Sequence, residues 1–214
     1  MTERTTEALI AQLAADARPV APSAGVRRLT IGMTIGGLVT LIAVYIMGWR
    51  PDLAVATLAM NFWVKMAYTV TICVMGIYWL RQLGRPESEQ PRWRWLFVPV
   101  LLLALVAIGQ AMQAPKGTMP HMVMGASWQI CSRNIVMLAL PIYLAILWVM
   151  RRFAPTNLTA AGAATGLVSG AAAASIYCLH CTETSMLFVL IWYSLGIAIA
   201  TAVGAILGPR LLNW

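Results

Sequence analysis

Six stretches of about twenty apolar residues, parted by short polar loops, constrain this chain more than any other feature. A helix needs about 20 such residues to cross the hydrocarbon core of a bilayer. Leu29–Gly48, Met60–Leu80, Trp95–Gln113, Ala126–Met150, Leu158–Tyr177 and Met186–Leu207 all qualify. Within lipid the backbone must satisfy its own hydrogen bonds, and segments this long do so as helices. Composition agrees, with 60% of the 214 residues hydrophobic and 10% charged, against about 25% charged in ordinary soluble domains. The expected fold is all-α and polytopic. Residues 1–28 would form an N-terminal tail and residues 29–214 a six-helix transmembrane domain. The fifth stretch, mostly Ala and Gly, is the least hydrophobic, and the alternation of the loops requires it.

Basic residues set the orientation. Arg4, Arg18, Arg27 and Arg28 lie in the tail, Arg81, Arg85, Arg92 and Arg94 in the second loop, Arg151 and Arg152 in the fourth, and Arg210 at the C-terminal end. The intervening loops hold only Arg50 and Lys116, while Lys65 and Arg133 fall within spans. Cytoplasmic loops are enriched in Lys and Arg, so both termini are expected inside, in a bacterial inner membrane. No cleavable signal peptide is expected, because the first 28 residues lack an apolar core of the required length.

Small residues recur every fourth position at Gly162, Gly166 and Gly170, at Gly196, Ala200, Gly204 and Gly208, and at Gly32, Gly36 and Thr40. That spacing puts them on one helix face, where backbones can approach closely. Spans five and six share a short loop, so this seam is expected within one chain rather than in a homodimer. Trp49, Trp63, Trp79, Trp93, Trp95, Trp148 and Trp214 fall near span ends, as interfacial anchors do. Pro99 and Pro141 are expected inside their helices, kinking them.

Cys73 lies mid-span and reads as a small core residue. The chain's other three cysteines lie toward the outward side: Cys131 near the start of span four, then Cys178 and Cys181 in Tyr177-Cys178-Leu179-His180-Cys181-Thr182-Glu183-Thr184-Ser185. In the oxidising bacterial envelope such thiols pair or respond to redox change. Cys131, Cys181 and His180 would equally suit a soft metal ion as a regulatory ligand, with His121 as an addition. Simple structural burial is the third alternative. No resident cofactor is expected. Arg133, about 10 Å into span four at 1.5 Å per residue, would either snorkel outward or pair with Glu183, coupling the cysteine loop to that span. Lys65 reads as a snorkelling anchor.

The tail between Thr5 and Arg18 reads as a short amphipathic helix with Leu9, Ile10, Leu13 and Ala17 on one face, ended by Pro19. A helix this short is marginal alone in water. Its apolar face needs a partner, and the net charge of only +1 over the first 28 residues favours a protein groove over anionic lipid.

Several segments resemble the NrsF family, membrane-embedded negative regulators of extracytoplasmic-function sigma factors. They are Leu9-Ile10-Ala11-Gln12-Leu13-Ala14-Ala15-Asp16, Arg50-Pro51-Asp52-Leu53-Ala54, Phe62-Trp63-Val64-Lys65, and Gly125-Ala126-Ser127-Trp128 with Cys131. Leu179-His180-Cys181 with Glu183 and Ser185, Trp192-Tyr193, and Leu207-Gly208-Pro209-Arg210-Leu211-Leu212 with Trp214 complete the series. The resemblance implies an anti-sigma factor whose cytoplasmic face, chiefly the tail, holds a sigma factor, with no direct nucleic-acid contact. It also implies that Cys131 and Cys181 perceive stress such as oxidants or heavy metals; Cys178 falls outside the resemblance. No phosphate loop, carboxylate dyad or nucleophile–base arrangement is visible, so no enzyme is expected. The alternative reading is a membrane thiol oxidoreductase or small metal transporter. Only three outward thiols and few ionisable residues deep in the spans weigh against it.

Overall fold

The computed structural model describes residues 6–16, 24–84, 93–153 and 155–212. Helix α1 (Thr6–Asp16) belongs to the tail, and α2 (Ala24–Met47) is the first span. The short α3 (Leu53–Ala56) leads to α4 (Met60–Leu83), the second span, and a 3-10 turn at Trp93–Leu96 opens α5 (Phe97–Gln113), the third. The single-turn α6 (Met119–Met124) precedes α7 (Trp128–Met150), and α8 (Leu158–Tyr177) is the fifth span. The sixth runs through α9 (Met186–Phe188), a π-helical turn at Val189–Tyr193, and α10 (Ser194–Leu211). Among the described residues six helical stretches are long and apolar enough to cross a membrane, matching the expected number.

The boundaries differ in instructive ways. The first span starts near Gly25, so Arg27 and Arg28 lie on its first turn rather than ahead of it. Pro99 sits in the first turn of α5, where a missing N–H costs little. Pro141 lies inside a continuous α7. Trp79 is not an interfacial anchor: it is buried against Trp93, ring centroids 4.7 Å apart. Trp49, Trp63, Trp95 and Trp148 are exposed, as anchors require, and Trp214 lies outside the described residues.

The weakly hydrophobic fifth span turns out to be the centre of the bundle. Its most apolar stretch is 67% buried, against 17% for the third span, and it packs on α2, α4, α7 and α10. A helix surrounded by protein has no need of bulky lipid-facing side chains. Small ones let its neighbours close in, where van der Waals contact drives association. A Cβ on Gly166 would collide with the Ala200 carbonyl, and one on Gly162 with that of Gly204. The glycine stripes thus serve packing within one chain, α8 against α10. The Gly32/Gly36/Thr40 face of α2 meets α7 instead. There Gly36 lies against the Ile142 backbone, and Thr40 Oγ1 donates to Leu138 O at 3.0 Å.

Successive spans alternate in direction, which gathers loops one, three and five at one end and the tail at the other. Hydrogen bonds lace the three loops together. Arg50 N donates to Leu179 O (3.1 Å), Ser185 Oγ to Met122 O (2.7 Å), and Trp192 Nε1 to Val123 O (2.9 Å). At the tail end Arg151 Nε donates to Leu211 O (2.9 Å), tying the fourth loop to the last helix.

Candidate functional site

The laced loops enclose a buried polar cluster. α8 ends at Tyr177, and one further turn places Cys178 and Cys181 inside the bundle, both essentially without exposure. Cys131, on the first turn of α7, is equally buried and presents its thiol to Cys181. Two cysteines fifty residues apart in the chain therefore meet between span four and the loop joining spans five and six. All four cysteines are free thiols.

The environments of the two loop thiols differ. The Cys131 thiol beside it and the Lys65 ammonium favour the charged form of Cys181. They outweigh the opposing cost of burial and hold that thiol well below its ordinary range. Burial dominates at Cys178 and pushes it up to about 11, the behaviour of an inert structural cysteine. Its Sγ bonds back to Ala174 O at 3.3 Å.

Lys65 is not the snorkelling anchor that its position near a span end suggested. It is 1% exposed, and its Nζ donates to Cys181 O (3.2 Å) and Glu183 O (3.3 Å) and lies 4.8 Å from the Tyr193 ring centre. The extended turn after Cys181 offers these carbonyls inward, a better end for the side chain than the bilayer interface. Ionisable residues sealed within membrane bundles are costly and mark function by default, a rule that would have singled out Lys65 from the sequence. The Tyr193 hydroxyl, wholly buried beside the Cys178 and Cys181 sulfurs, has no hydrogen bond of proper geometry.

Arg50 reaches the same loop from the other side. It clamps Asp52 with two bonds of 2.7 and 2.8 Å and donates to Cys181 O at 3.2 Å. The Asp52 hydrogen bond raises the guanidinium further and lowers the Asp52 carboxyl.

Two expected partnerships do not form. No ion pair joins Arg133 to Glu183: Arg133 is exposed on the outer face of α7, and a guanidinium there can reach the interface along its own stem. Glu183 instead accepts from Ala126 N (2.7 Å) and Ser127 Oγ (3.3 Å). It is cradled by Gly125, whose φ of +55° and proximity to the carboxylate leave no room for a side chain. Glu183 thus does join the cysteine loop to span four, through backbone rather than through Arg133. The trio of Cys131, Cys181 and His180 is likewise not assembled. The His180 Nδ1 lies 2.6 Å from Gly48 O, and the ring packs on Tyr177. His121 is exposed on α6. Among the described residues no group of three or more His, Cys, Asp or Glu side chains is placed to hold a metal ion.

Replacing Glu183 by Ala removes a charged acceptor from two donors, each such bond being worth about 1.5–3 kcal/mol. Thermal unfolding of the full chain in detergent is expected to show a loss of about 3 kcal/mol, and Glu183→Gln, which keeps an acceptor oxygen, less than half of that.

In the tail, Leu9 and Ile10 of α1 are exposed, 45% and 60%. The Leu13 side chain and Ala17 lie outside the described residues.

The family model NrsF, described as negative regulator of sigma F, matches residues 13–214. The chain belongs to the NrsF family. A probable anti-sigma-F factor NrsF from Azospira oryzae is 37% identical over 98% of this chain and 99% of its own length. The anti-sigma-F factor NrsF from Caulobacter vibrioides is 38% identical over the same shares. These NrsF relatives are named as regulators, not enzymes, which removes the oxidoreductase reading. No solved structure matches the chain.

Proposed function

We propose that this protein is a membrane anti-sigma factor. It holds an extracytoplasmic-function sigma factor against the cytoplasmic face of the inner membrane and releases it when Cys131 and Cys181 react in the periplasm. Both chain ends face the cytoplasm in this reading, following the arginine distribution, and the exposed Leu9 and Ile10 of α1 seat in a groove of the sigma factor. The single observation that carries the sensing half is the apposition of the Cys131 and Cys181 thiols at the end of the bundle opposite the tail.

An oxidant would convert the pair to a disulfide, and a thiophilic metal ion would bridge the same two sulfurs without His180. Either event changes the constraint between α7 and the five–six loop. That loop continues α8, the central helix, and leads into α10, whose glycine seam with α8 reaches the tail end. A tenfold loss of sigma affinity needs a coupling of only about 1.4 kcal/mol, within the reach of a disulfide.

The test is co-purification. The full chain in detergent, with its thiols reduced, is expected to retain the extracytoplasmic-function sigma factor of its own cell and to lose it on treatment with diamide. A chain that retains no sigma factor in either state overturns the proposal, and one that retains it equally in both overturns the sensing half.

A further inference from the structure

We propose that Lys65 sets the redox poise of the Cys131–Cys181 pair: its buried ammonium is the counter-charge that favours the reduced pair over the disulfide. This rests on the reading of that pair as the responsive element and gives a role to a residue otherwise taken as an anchor.

The argument begins with charge. Lys65 is sealed in the bundle, and its three N–H groups face two carbonyls and an aromatic ring, which satisfy hydrogen bonding and leave the charge unneutralised. Among the described residues the nearby carboxylates are engaged elsewhere, Asp52 by Arg50 and Glu183 by the Ala126–Ser127 backbone and hydroxyl. A buried charge is costly unless paired. Facing Cys181 are Lys65 from α4, Arg50 from the first loop, Cys131 from α7 and Tyr193 from the π turn; Cys178, Tyr177 and Glu183 lie on its own segment. Of these, an anionic Cys181 sulfur is the counter-charge the cluster can offer Lys65, with the Cys131 thiol beside it. A neutral disulfide offers none.

With a low-molecular-weight disulfide RSSR as oxidant, the Cys181 thiolate attacks one sulfur and expels RS⁻. Cys131 then passes its proton to that RS⁻ and attacks the Cys181 sulfur of the mixed disulfide, expelling the second RS⁻. Two protein thiols are oxidised, and RSSR is reduced to RSH and RS⁻. Lys65 stabilises the left-hand side, so it makes the pair easier to keep reduced. Oxidation then strands the ammonium, which turns a local bond into a load on span two.

The experiment uses the full chain in detergent with Cys73 and Cys178 replaced by Ser, equilibrated in dithiothreitol redox buffers and scored by alkylation mass shift. Lys65→Met is expected to shift the equilibrium at least tenfold toward the disulfide, about 30 mV more negative, and Lys65→Arg to stay within about 15 mV of the parent. An unchanged potential in Lys65→Met overturns the proposal. A measurement on the chain with Lys65 intact guards against a variant that fails to fold. A pair holding one thiolate takes up a single proton on reduction, so its potential should move by about 30 mV per pH unit between pH 6.5 and 8. A slope of about 59 mV, the two-proton value, overturns the proposal too. Sigma binding enters neither measurement, so failure here is distinguishable from failure of the anti-sigma reading.

Discussion

Deleting residues 1–18 is expected to raise sigma-dependent transcription to its fully induced level with no stimulus present, measured with a reporter fused to a promoter of the released factor. The tail carries α1, eleven residues long, which in isolation is marginal as a helix. Its exposed Leu9 and Ile10 each gain about 1.5–3 kcal/mol when buried against a partner. Losing both contacts lowers affinity by at least about a hundredfold, since each 1.4 kcal/mol is a factor of ten. Single Leu9→Asp and Ile10→Asp changes should each give at least about tenfold derepression. The described side chains of α1 are exposed, so the truncated chain should still accumulate in the membrane. A truncated chain that keeps the reporter silent would remove the tail from the binding surface.

Cys131→Ser and Cys181→Ser, singly, are expected to abolish induction by diamide while leaving basal repression in place. Induction should fall from at least about tenfold, the factor set by 1.4 kcal/mol of coupling, to none. A hydroxyl fills nearly the space of a thiol yet cannot form the disulfide, so the change removes chemistry and spares packing. Cys178→Ser is the matched control. That sulfur is equally buried but bonds to its own helix, and burial keeps it protonated, so induction should be unchanged. Full induction in both Cys131→Ser and Cys181→Ser would end the sensing proposal.

Much of this molecule was legible before any coordinates. Hydrophobic run length yields six helices because lipid leaves the backbone no other way to satisfy its amides. Four-residue spacing of Gly162, Gly166 and Gly170 identifies a packing face, since helical periodicity is local. The three cysteines near span ends, the tail helix and the family resemblance rest on residues read in order along the chain.

Partner choice was another matter. Whether Glu183 meets Arg133 or the Ala126 amide, whether His180 turns to the thiols or to Gly48, and whether Lys65 runs out to the interface or in to Cys181 all depend on how loops from three different helix pairs interlock. Chain position restricts such choices only weakly, because a side chain within a turn of a helix end has both water and neighbouring backbone in reach. The amino-acid order by itself determined six membrane-length helices with a small-residue packing face, because span length and small-residue spacing are properties of short segments, while the resemblance of its motifs pointed to an NrsF regulator. Only the tertiary structure decided that Cys131, Cys181 and Lys65 form one buried cluster, because residues in separate spans and loops become neighbours only when the bundle closes.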